Sequence, residues 1–72
     1  MKIAVELEET DWMQILDGLR CRAEIYEDTF RYYESGHAES EIAEVRDGNE
    51  ARELADLYWS IIGKIERTFF RG

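Results

Sequence analysis

The sequence predicts an all-α fold, in which two helices form an antiparallel hairpin with a short connecting helix and an N-terminal extended arm or strand. In two stretches, apolar residues recur at alternating spacings of four and three, which is the pattern of a helix buried along one stripe. A segment rich in Gly, Asp and Asn separates the stretches and favours a turn between them. We call the stripes seam 1, formed by Trp12, Leu16, Leu19, Ala23, Tyr26, Phe30 and Tyr33, and seam 2, formed by Ala51, Ala55, Tyr58, Ile62, Ile65 and Phe69.

The length and the cysteine content predict one domain, residues 1–72, that assembles with further copies of itself. A core of this size rarely supplies more than about 3–5 kcal/mol of stability without disulfides, a metal or a partner chain. The single cysteine, Cys21, has no internal disulfide partner, and no cluster of Cys and His has the spacing of zinc ligands. We therefore expect a homo-oligomer, at least a dimer, in which the hairpins pack into a helical bundle.

The charge of the chain opposes some partners and favours others. Seventeen acidic residues against nine basic ones give a net charge of −8, which opposes direct association with nucleic acid or an anionic membrane. A basic protein is the more compatible partner. No apolar run approaches the ~20 residues of a membrane span, and the N-terminal residues lack the apolar region of a signal peptide. We therefore expect a cytoplasmic protein with a reduced cysteine.

The N-terminal residues 1–9 alternate between apolar and other side chains, with Ile3, Val5 and Leu7 on one side. A lone strand has nothing to pair with, so the segment either pairs with its equivalent in a second chain or forms an arm across the helices. We favour the arm. The first long helix is predicted at residues 10–35, with Thr10 as its N-cap and Gly36 just past its end.

A short helix is predicted at residues 38–46, because Ile42 and Val45 are out of phase with seam 2. The second long helix is predicted at residues 49–70. Asp47 and Glu50 have the spacing of a capping box at its start, and Asn49 is the alternative cap.

Some apolar residues lie outside both seams and predict the oligomer interface. Three of them lie along the back of the first helix, and two aromatic residues flank seam 2. Leaving aromatic side chains in water forgoes about 1.5–3 kcal/mol each. The predicted interface consists of Cys21, Ile25, Tyr32, Trp59 and Phe70.

The sharpest enzymatic pattern is a pair of carboxylates on each helix, Glu24 with Glu27 and Glu53 with Asp56. Paired carboxylates one turn apart can hold Mg²⁺. The spacing resembles the acidic motifs of all-α nucleotide pyrophosphohydrolases of the MazG kind, and the resemblance implies that all four residues bind the metal. It covers eight positions only, and Glu53 and Asp56 point about 180° away from seam 2.

We therefore predict no metal site, no cofactor, no catalytic residue and no enzymatic activity. The only histidine, His37, follows Gly36, which ends the helix and prevents a Glu-x-x-His metal motif with Glu34. No nucleophile motif surrounds it. Magnesium-dependent pyrophosphate hydrolysis is kept as the enzymatic alternative.

Acidic residues on the first helix form the predicted partner-binding surface, which could dock into a basic groove of another protein or simply be solvated. It consists of Glu24, Glu27, Asp28 and Glu34. A nucleotide-sequestering oligomer is the alternative binding function. In that case Lys64, Arg67 and Arg71 would hold phosphate, and Tyr32 or Trp59 would stack on the base.

The overall form resembles the small acidic helical-hairpin proteins of phages and prophages. The likeness lies in an opening Val-Glu-Leu-Glu-Glu-Thr-Asp-Trp, a helix containing Leu-Asp-Gly-Leu, a polar break and a second helix. The predicted helix at residues 38–46 departs from the shorter connection of a plain hairpin. The resemblance implies a small interaction protein that binds a host protein and modulates or inhibits it.

Overall fold

The computed structural model describes residues 1–38 and 41–69. Its two helices, α1 (Glu9–Ser35) and α2 (Gly48–Phe69), pack against each other along their lengths. They are antiparallel, because Arg20 forms an ion pair with Glu66 and Trp59 donates a hydrogen bond to Glu27. The fold is all-α over the described ranges, as the sequence predicts.

Helix α1 begins one residue earlier than predicted. The Glu8 N–H donates to Asp11 Oδ2 at 3.1 Å, so the carboxylate of Asp11 reaches back to the residue before the helix, as in a capping box. Thr10 already lies inside the helix, and the prediction that it is the N-cap was wrong. The predicted C-terminal end of α1 at Ser35 is confirmed. Gly36, just past it, has φ 76°, and its N–H donates to the Tyr32 carbonyl at 2.7 Å.

Helix α2 is capped by Asp47 rather than Asn49. Asp47 Oδ1 accepts the Glu50 N–H at 2.9 Å, and Glu50 forms an ion pair with Arg46 at 2.5 Å. The helix is described to Phe69, so the predicted last residue, Phe70, lies outside the described ranges.

The core lies along the two seams. Among the described residues, six of the seven buried apolar residues are seam residues, and the seventh, Ala43, comes from the connecting segment. Four of the seven are alanines, and the three on the helices, Ala23, Ala51 and Ala55, have small side chains that allow the helix backbones to approach closely. The buried apolar residues are Leu16, Ala23, Tyr26, Ala43, Ala51, Ala55 and Ile62.

The connecting segment is not a helix within its described residues, and the prediction of a short helix at residues 38–46 is corrected there. Residues 41–45 have no regular secondary structure, and residues 39–40 lie outside the described ranges. The Ala43 N–H donates to Thr29 Oγ1 at 2.8 Å instead of to a carbonyl of its own segment. Ala43 is buried while Ile42 and Glu44 on either side of it are exposed, so this segment buries Ala43 without forming a helix.

The N-terminal residues 1–8 have no regular secondary structure and are exposed. Val5 and Trp12 line a cleft of about 330 Å³ together with the last turns of α2. The arm therefore approaches the helices at Val5, whereas Ile3 is largely exposed. Pairing of this segment with a second chain stays a prediction.

Candidate functional site

The hairpin has a back face that the connecting segment covers. Thr29 is fully buried there, and its hydroxyl donates to the Ile25 carbonyl at 2.8 Å while accepting the Ala43 N–H. Ala43 forms a cluster with Tyr26 and Ala55. Ile25, Val45, Leu54 and Tyr58 pack against this cluster.

The opposite side of the hairpin, the front face, has a groove between the two helices. Glu27 and Arg31 each lie two residues from Thr29, about 160° around α1. Arg52 and Asp56 likewise lie two residues from Leu54 on α2. We call this cleft of about 430 Å³ the front groove, lined by Glu27, Phe30, Arg31, Arg52, Ala55 and Asp56.

Trp59 lies at the edge of the front groove. Its indole Nε1–H donates to Glu27 Oε1 across the helix pair, and its side chain is still 38% exposed. The hydrogen bond holds the indole against α1, while much of its apolar surface faces solvent. Such a partly exposed, oriented tryptophan is a common anchor of protein interfaces.

The charges of the front groove fall into a paired set and an unpaired set. Arg31 Nη1 lies 2.5 Å from Asp28 Oδ1, and Arg31 Nη2 lies 3.6 Å from Glu27 Oε2. Arg52 and Asp56, one turn apart on α2, form no ion pair with any residue in the described ranges. The groove thus has one cation and one carboxylate available to a partner.

The four predicted partner-binding residues are in two different situations. Glu27 and Asp28 are engaged by Arg31, and Glu27 also accepts from Trp59. Glu24 and Glu34 are exposed and form no ion pair within residues 1–38 and 41–69. Glu24 and Glu34 are therefore the members of this surface whose charge is fully available.

The predicted interface residues do not share one surface. Cys21 and Tyr32 are exposed on α1, and Tyr32 packs edge to face on Tyr33 with ring centroids 5.6 Å apart. Ile25 is half-buried against the Ala43 cluster, so part of its contact is made within the chain. Trp59 lies on the front face, and Phe70 lies outside the described ranges.

The carboxylates of the pyrophosphohydrolase resemblance are only partly brought together. Glu27 and Asp56 line the front groove, but they share it with Arg31 and Arg52. Glu24 and Glu53 are exposed. No group of three or more His, Cys, Asp or Glu within the described ranges is arranged to hold a metal ion.

Arg31 and Arg52 are groove residues that were not predicted from the sequence. The available signal was spacing: Arg31 follows Glu27 by four residues, and Arg52 precedes Asp56 by four, the separations at which opposite charges meet on a helix. Arg22 was missed as well. Its guanidinium lies 4.8 Å from the Tyr26 ring centroid, and the pKa of Arg22 is raised, chiefly by its hydrogen bond to the Tyr26 hydroxyl.

The described helices include none that is both long and apolar enough to cross a membrane. Comparison of the chain with protein-family models, with curated proteins and with solved structures finds no match.

Proposed function

We propose that the protein is a small acidic interaction protein, of the kind encoded by phages, that binds a basic host protein in the cytoplasm and modulates or inhibits it. The observation that supports this most is that Glu24 and Glu34 are exposed and form no ion pair among the described residues. In a chain of net charge −8 these carboxylates add to a negative field instead of being neutralised.

The physical advantage of such a surface is rapid and selective association. A negative surface steers a positively charged groove toward it and repels acidic proteins, and salt weakens both effects. At physiological ionic strength the Debye length is only ~8 Å, so most of this attraction acts at close range. Glu27 and Asp28 belong to the same surface, although their ion pairs with Arg31 partly neutralise their negative charge.

The experiment is a pull-down from host lysate with the wild type and with Glu24→Lys plus Glu34→Lys. We expect the wild type to capture a basic protein whose retention falls steeply as salt is raised, and the double variant to lose it. Both side chains are exposed, so the substitutions should cost little stability, and circular dichroism should show equal helix content.

The matched control is Glu6→Lys plus Glu53→Lys, which changes the net charge by the same amount at two other exposed positions. This control should still capture the partner. Equal capture by both double variants, with an unchanged salt response, would show that the acidic surface is merely solvated.

A nucleotide-binding function is the second candidate. It is favoured by the two guanidinium groups, Arg31 and Arg52, that line the front groove near the indole of Trp59. Phosphate would pair with the cations and the base would stack on the indole, but the carboxylates of Glu27 and Asp56 oppose an anion there. Gel filtration with a labelled nucleotide separates the candidates, because only a sequestering protein retains it, and turnover with Mg²⁺ would indicate the hydrolase instead.

A further inference from the structure

We propose that the front groove binds a second copy of this chain in a two-fold dimer, with Trp59 at the edge of the groove as part of the contact. In this dimer Arg52 of one protomer pairs with the partner's Asp56, and the reverse pair forms by symmetry. The proposal uses a surface different from Glu24 and Glu34, so it and the proposed function can fail independently.

The charges of the groove select a second copy over other occupants. In a two-fold interface the same patch lies on both sides, so it must be complementary to itself. Arg52 and Asp56 are exposed, of opposite sign, one turn apart and unpaired within the described ranges. Two copies of α2 crossing in opposite directions would satisfy both charges twice.

The groove is also where two acidic chains can approach each other. Two molecules that each have a net charge of −8 repel. Within the groove, however, Arg31 and Arg52 balance Glu27 and Asp56. The electrostatic penalty for bringing two copies together is therefore reduced at this face.

Burial of apolar surface at the groove would stabilise the dimer. The exposed parts of Trp59 and of the groove residue Phe30 would be buried by the contact. The molecule extends 43 Å by 26 Å in its two longest directions, which leaves room on one face for the ~800 Å² per partner of a standard stable interface. The back face is less available because the connecting segment already covers Thr29 and Ile25.

The first experiment measures molar mass by gel filtration with light scattering at micromolar concentration. The wild type should have twice the monomer mass of 8.5 kDa. Trp59→Ala should weaken the dimer by about 10-fold or more, as loss of an interface anchor does. Leu57→Ala is the matched control, since Leu57 is 52% exposed on the same helix but lies two residues from Trp59, on another face, and this variant should remain dimeric.

The second experiment uses charge reversal and does not depend on removing apolar surface. The Arg52→Glu variant alone should be monomeric, because its new carboxylate is repelled by the partner's Asp56. The Asp56→Arg variant alone should be monomeric, because its new guanidinium is repelled by the partner's Arg52. An equimolar mixture of the two variants should form a heterodimer, since each unfavourable pair is replaced by an attractive one. Circular dichroism should show that all variants are as helical as the wild type.

Three results would overturn the proposal. They are a wild type that is monomeric at micromolar concentration, a Trp59→Ala variant that dimerises as tightly as the wild type, and a mixture of Arg52→Glu with Asp56→Arg that stays monomeric. A groove that instead binds a nucleotide or a basic protein would give a monomeric wild type in the absence of that ligand.

Discussion

At the scale of single residues, Thr29 determines how the connecting segment is held. Its side chain is fully buried, and its hydroxyl is used twice, as a donor to the Ile25 carbonyl and as an acceptor from the Ala43 N–H. The Ala43 N–H lies at a buried position, where an unsatisfied donor costs about 1–3 kcal/mol. One hydroxyl therefore joins two parts of the chain that are fourteen residues apart.

We predict that Thr29→Val lowers the free energy of unfolding by about 1–3 kcal/mol, because valine fills the same space but cannot accept the Ala43 N–H. Thr29→Ser keeps the hydroxyl and should cost less. Urea denaturation followed by circular dichroism measures both. Thr68→Val is the control, since Thr68 makes the same type of bond to the Lys64 carbonyl at an exposed site. If the valine and serine variants at position 29 lost equal amounts of unfolding free energy, the hydrogen bond of the hydroxyl would not be what stabilises this site.

At the scale of elements, Gly18 inside α1 and Gly36 just past its end have opposite roles. Gly36 ends the helix in the left-handed region at φ 76°, a conformation that strains any residue with a Cβ. Gly18 lies inside the helix, where a Cβ would meet nothing within 4 Å among the described residues. The first glycine is needed by the backbone, whereas the second only lowers helix propensity.

The corresponding prediction compares two substitutions to alanine. Gly36→Ala should reduce the free energy of unfolding by about 1 kcal/mol, since it forces a Cβ into the left-handed region. Gly18→Ala should raise it by about 0.5–1 kcal/mol through better helix propensity. Chemical denaturation of the two variants and the wild type measures whether each substitution raises or lowers the free energy of unfolding. A stabilising Gly36→Ala would mean that the end of α1 is not held in the conformation described.

At the scale of the whole molecule, the net charge of −8 opposes compaction. The ion pair between Arg20 and Glu66 joins the helices, and Arg31 and Arg46 form local pairs. All of these pairs are exposed or partly exposed, and such pairs typically contribute about 0–1 kcal/mol each. We therefore expect repulsion among the seventeen acidic residues to outweigh them.

It follows that added salt should stabilise the protein. Raising the ionic strength from ~0.01 M to ~0.15 M shortens the Debye length from ~30 Å to ~8 Å and so screens the repulsion. Thermal melting at fixed protein concentration should show a Tm higher by a few degrees, the shift expected from about 1 kcal/mol in a domain of this size. A Tm that falls with salt would mean that the attractive pairs dominate.

Periodicity is the property that the sequence alone determined. The alternating spacing of apolar residues placed the two helices and all six of their buried apolar residues, because a helix can bury only the stripe that recurs at 3.6 residues per turn. Gly36 was equally predictable, since its backbone conformation is a property of glycine itself. The exposure of Glu24 and Glu34 was also predictable, because charged residues are exposed by default.

Only the tertiary structure decided the conformation of the connecting segment and the character of the two faces. Ile42 and Val45 suggested a short helix, but the described residues 41–45 are irregular, because the partner of the Ala43 N–H is a side chain fourteen residues earlier. The front groove brings Arg52 and Asp56 of α2 together with Glu27 of α1, residues that are distant in the chain. Local spacing contains no information on such pairings, since they depend on how the two helices are rotated and aligned against each other.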